Sequence, residues 1–173
     1  MATSFLLTPF ILHSVGETSF GIWVLANVLV SYGALLDLGM GSAIVKYVAD
    51  ARARGDADEA HELLATATRA YAGLALVAVA AGPLLSTVAG KAIAVDQAAE
   101  PTARAVLLLV TLTFAINLAA TPVTATLRGL QRYDITNALT VVSALTTAIL
   151  TVLVLQAGAG LVGMVAVTVP VAL

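Results

Sequence analysis

Residues 105–127 read AVLLLVTLTFAINLAATPVTATL, a run of twenty-three without one charged side chain. A helix needs about 20 mostly apolar residues to cross the hydrocarbon core of a bilayer. This stretch meets that length alone, and only its threonines, Asn117 and Pro122 interrupt its apolar character. The rest of the chain agrees with it. Hydrophobic residues make up 60% of the 173 positions and charged residues 10%, with a mean hydropathy of +1.01. A soluble domain carries roughly 25% charged residues, so too little polar surface exists here to cover a water-soluble globule. Lipid must be the solvent for much of the molecule. A β-barrel would need segments of about ten residues with alternating polarity, whereas these runs are continuous and rich in Ala and Leu. The expected fold class is therefore an all-α integral membrane protein, a polytopic helical bundle.

Working outward, the clustered charges mark where the spans stop. A first apolar stretch covers 1–12 and lacks the basic leading region and small-residue cleavage pattern of a secretory signal. After a turn at Ser14–Ser19, a second covers 20–38, and an amphipathic extension follows Asp37 to Arg54. The loop Gly55–Glu59 places Asp56 three residues before Glu59, a helix start of the capping-box kind. A helix from Ala57 to Val88 would measure about 48 Å. Its first turns should stand in water, leaving a spanning part within 63–88. Further spans are expected at 103–127 and 137–155, and a last apolar run at 161–173. The whole forms one transmembrane lobe, 1–173, with about five full spans and truncated ends.

Basic residues set the expected orientation. Lys46, Arg52, Arg54, Arg69, Arg128 and Arg132 belong to the second and fourth loops and their flanks, against only Lys91 and Arg104 elsewhere. Short loops rich in Lys and Arg stay on the cytoplasmic side, which predicts a multi-pass protein of the cytoplasmic membrane with a cytoplasmic N-terminus. The formal net charge of −2 and the lack of a basic stripe give no nucleic-acid footprint. Cysteine is absent, which excludes disulfides and thiolate chemistry. No triad, paired carboxylates or ligand cluster is visible, so neither an enzyme nor a metal or cofactor site is expected.

Few positions carry candidate chemistry. Gly158–Gly163 matches G-x-G-x-x-G, yet an apolar span precedes it where a dinucleotide site needs a strand; it reads as a turn. Asp37 near the membrane is costly unless it faces a cavity or partner. It either couples a proton or cation, lines a cavity, or caps the helix that follows. Lys46 and Arg69 suit phosphate oxygens of an anionic head group, or snorkel to the interface. Pro83 and Pro122 bend their spans, with Thr121, Thr124 and Thr126 placed to satisfy freed carbonyls. Asn27 and Asn117 are expected to bond between helices, with substrate contact as the alternative. Trp23, Tyr32, Tyr47, Tyr71 and Tyr133 are scattered, and several fall near the expected interfaces, as an aromatic belt would.

Three segments carry a likeness. They are Gly16-Glu17-Thr18-Ser19-Phe20-Gly21-Ile22-Trp23, then Leu35-Leu36-Asp37-Leu38-Gly39-Met40-Gly41 leading to Lys46-Tyr47-Val48-Ala49, and Arg128-Gly129-Leu130-Gln131-Arg132-Tyr133. In this order, with Gly160-Leu161-Val162-Gly163 before the last run, the chain resembles the bacterial polysaccharide flippases. These are the O-antigen, exopolysaccharide and teichoic-acid exporters of the multidrug/oligosaccharidyl-lipid/polysaccharide superfamily. The resemblance implies one lobe of a two-lobe flippase, with a second lobe in the same or another chain. It also implies alternating access that carries a lipid-linked oligosaccharide across the membrane. Asp37, Lys46, Arg69 and Arg128 are then the candidates to line the substrate path. A cation-coupled multidrug exporter and a non-transporting membrane subunit or remnant are the competing expectations.

Overall fold

The computed structural model describes residues 11–12, 14–33, 37, 39–93 and 99–171. Among them the chain forms helices and no strand. In order these are α1 (Glu17–Gly33), α2 (Met40–Arg54), α3 (Ala57–Ile93), α4 (Glu100–Gly129), α5 (Tyr133–Gln156), α6 (Gly160–Ala166) and α7 (Thr168–Val171).

Among the described residues three helices are long and apolar enough to cross a membrane: Ala57–Ala89 within α3, α4 and α5. That is fewer than the five or so full spans expected. Of the second apolar stretch the described part of α1 covers 17 residues, to Gly33, and 34–36 and 38 lie outside the described residues. The expected amphipathic extension is a separate helix. Gly39, at φ 79°, adopts a left-handed conformation just before α2 begins, one that glycine reaches without steric cost. The final run is interrupted at Val167, between the seven residues of α6 and the four of α7. The first stretch, 1–12, lies outside the described residues apart from Ile11 and Leu12.

Local signals explain the boundaries. The backbone N–H of Glu59 donates to the Asp56 carboxylate at 2.9 Å, which is the expected cap of α3. Arg54 pairs with Glu59 across that turn. The carboxylate holds the exposed Arg54 guanidinium above its ordinary pKa, through the hydrogen bond first and its charge second. At the other boundary α3 continues past Val88 to Ile93. Pro101 lies in the first turn of α4 rather than in a loop, where its missing N–H has no intrahelical acceptor to lose. α4 in turn extends to Gly129 and α5 begins at Tyr133, so the expected loop 128–136 shrinks to Leu130, Gln131 and Arg132.

Packing is organised along α4, the most buried of the three spans. Its first half meets α1 and α6: Ala103, Val106, Leu107 and Val110 pack with Ile22, Ala26, Leu161, Met164 and Val165. Its second half meets α2 and α3, where Leu118 and Ala125 pack with Ile44, Val48 and Tyr71. α3 and α5 keep large apolar faces exposed, including Leu76, Val77, Leu84, Val142, Ile149 and Leu153. Such faces suit hydrocarbon, and in water their area would drive association.

Candidate functional site

Polar residues recur along one face of α4 at Asn117, Thr121, Thr124 and Arg128, spaced by four, three and four. That spacing stacks them on a single helical face. α5 repeats the device with Thr136, Thr140 and Ser143. The two stripes face one another across a groove of about 390 Å³, completed by Ala120, Leu139 and Val171. α5 makes few contacts with α4 despite the short loop joining them, and this divergence leaves the space.

The hydroxyl hydrogens of the groove's four threonines are already committed. Thr121 donates to the Asn117 carbonyl at 3.1 Å and Thr124 to the Thr121 carbonyl at 3.0 Å. On α5, Thr136 donates to the Tyr133 carbonyl at 3.3 Å and Thr140 to the Thr136 carbonyl at 2.8 Å. What these threonines offer a ligand is therefore acceptor oxygens. Arg128 supplies the opposite character, and its guanidinium has no hydrogen-bond or ion-pair partner among the described residues. An apolar depression of about 500 Å³, lined by Ile116, Ala119, Val123 and Leu127, adjoins the polar groove and shares Ala120, Thr124 and Leu139 with it. A polar head and an apolar tail could lie side by side there.

The four residues singled out from the sequence do not converge on one cavity. Arg128 lines the groove. Asp37 is half-buried at the junction of α1 and α2, where the Tyr71 hydroxyl donates to its Oδ1. The Gly41 N–H points to its Oδ2 at 3.4 Å, so Asp37 also supports the start of α2. Lys46 is exposed on α2, with its ammonium 5.5 Å from the centre of the Tyr47 ring. Arg69 is exposed on α3.

Several expectations need correction. Tyr71 is 1% exposed and belongs to the core, while Tyr32, Tyr47 and Tyr133 are exposed as a belt would require. Asn27 and Asn117 each donate within their own helix, to the Trp23 and Thr113 carbonyls, both at 2.8 Å. Pro122 removes the donor that the Leu118 carbonyl would receive in an unbroken helix. The Thr121 and Thr124 hydroxyls go to other carbonyls, and the buried Thr126 hydroxyl has no partner. The facing stripes were the feature missed. The i, i+4 series on α4 was readable as a polar stripe; its juxtaposition with α5 was not.

Among the described residues no cluster of three His, Asp or Glu side chains is placed to hold a metal ion. Compared with known proteins, the chain matches no family model, no curated protein and no solved structure.

Proposed function

We propose that this protein is a membrane transporter that moves a lipid-linked oligosaccharide or polysaccharide precursor across the cytoplasmic membrane by alternating access. The observation that carries the reading is the α4–α5 groove. An unpartnered arginine and a row of hydroxyl and amide groups lie beside an apolar strip. That combination fits an amphiphile with an anionic head, the guanidinium meeting phosphate oxygens and the acceptor oxygens meeting sugar hydroxyls. The sequence likeness to the polysaccharide flippases supports the same substrate class.

Arg52 of α2 donates to the Leu130 carbonyl in the α4–α5 loop, so the two basic loops share one end of the bundle. Under the positive-inside rule that end is cytoplasmic. An anionic head would enter there past Lys46 and Arg69 and reach Arg128. A second reading, cation-coupled drug export, is favoured by the half-buried Asp37 carboxylate.

The test is a flipping assay in sealed vesicles. The probe is a fluorescent short-chain polyprenyl diphosphate sugar, quenched from outside by dithionite. Arg128→Gln should slow flipping by about tenfold or more, the worth of one charge-assisted hydrogen bond. Lys46→Gln and Arg69→Gln should slow it less, with membrane insertion unchanged. Flipping no faster than in protein-free vesicles would sink the proposal. Uptake of a cationic dye that Asp37→Asn abolishes would favour the second reading.

A further inference from the structure

Three side chains from three elements converge on Gly41, the second residue of α2. A Cβ built there would meet Asp37 Oδ2 at 3.4 Å, the Tyr71 hydroxyl at 3.5 Å and Thr121 Cγ2 at 3.5 Å. Tyr71 comes from α3 and Thr121 from α4, while Asp37 precedes α2. The Tyr71 hydroxyl is bonded to Asp37, so the start of α2 is pinned to α3 and rests on Thr121. Thr121 is at once a wall of the groove and the residue before Pro122, where α4 lacks a backbone donor and bends most easily.

Past this point α2 stays on α4. A Cβ on Gly129 would lie 2.9 Å from both the Val45 carbonyl oxygen and Val48 Cβ, and Arg52 is bonded to the Leu130 carbonyl. α2 therefore touches α4 on both sides of Pro122, as a splint lies across a break. Arg128 follows the proline and Asn117 precedes it, so any bend at Pro122 would set how far apart these two groove residues stand.

We infer that Tyr71 is a positioning residue: through Asp37 it fixes α2 as a splint on α4 and so sets the bend at Pro122 and the width of the groove. The functional meaning of that width rests on the head-group reading above, but the geometric claim does not.

The absence of cysteine makes the experiment direct. Spin labels placed by Leu108→Cys and Val142→Cys, both at exposed positions, report the distance from the first half of α4 to α5 in reconstituted protein without ligand. Tyr71→Phe should shift the mean distance by about 2 Å or more, the scale of a helix displacement between packed states, or split it into two populations. Gly41→Val, whose added methyls crowd Thr121, the Asp37 carboxylate and the Tyr71 hydroxyl alike, should also displace it. Asp37→Asn retains an acceptor for the phenol and should leave the distance as in the parent. If Tyr71→Phe does not insert stably, the Gly41→Val result decides. Distances that superimpose on the parent in both variants overturn the inference, and a lowered melting temperature with unchanged distance does so equally. Dodecyl phosphate binding is measured separately. A distance shift in a protein that binds no dodecyl phosphate supports the splint while removing the head-group reading.

Discussion

The second half of α4 has two sides built to opposite rules. Toward α2 and α3 it presents Leu118, Ala125 and Gly129, and the neighbouring helices close on it until a backbone carbonyl lies where a Cβ would go. Toward α5 it presents Asn117, Thr124 and Arg128, with Thr121 shared between the two sides, and the neighbour stands away. Between membrane helices there is no water to expel, so close approach depends on small residues that allow backbones to meet. On the first side Gly129 permits that approach. On the second, side-chain hydroxyls are satisfied by their own helix and nothing draws α5 inward. Tight and open surfaces thus arise on one helix from residue size and local hydrogen bonding.

The strongest way to break this contrast is Gly129→Val. The new side chain meets the Val45 carbonyl and Val48 with no flexible atom to give way, and overpacking of this kind costs about 1–3 kcal/mol. Unfolding by denaturing detergent should show the loss, and the Arg52 to Leu130 contact should open with it. Thr126→Val works in the other direction. It replaces a buried hydroxyl that has no partner with a methyl, and should raise stability by about 1 kcal/mol in the same titration.

Smaller still is Gln131→Gly in the loop that joins the two regions. Gln131 has φ 58°, where a side chain costs energy that glycine avoids. A gain of about 0.5–1 kcal/mol is expected after the added chain entropy of glycine is offset. The smallest effect belongs to the groove side. Thr140→Val points into open space and should leave the melting temperature unchanged while weakening sugar binding. Loss of stability there would mean that α4 and α5 close on each other, and the contrast would fail.

Much of the architecture was readable because it depends on neighbours in sequence. Asp56 and Glu59 announced the start of α3, and the apolar runs announced α4 and α5. What escaped depends on distance along the chain. Asp37 and Tyr71 are thirty-four residues apart, and no local pattern distinguishes a tyrosine that reaches a carboxylate from one that sits in a belt. Gly129 read as part of a loop motif, yet its role is to let α2 approach. For the site, Arg128 was legible as a cation at a span end. The facing threonines of α5 became meaningful only once the helices diverged.

α3 has 37 residues, about 55 Å of helix, far more than a bilayer core requires. Its opening turns carry Asp58, Glu59, His61 and Glu62, all exposed. They lift the α2–α3 turn away from the apolar layer, with Arg54 beside the left-handed Gly55 at its tip. Trypsin cuts after arginine in such accessible turns. Added to only one face of a sealed vesicle, it would cut after Arg54 or leave that bond intact, so the fragment pattern reports the molecule's own sidedness without an added tag.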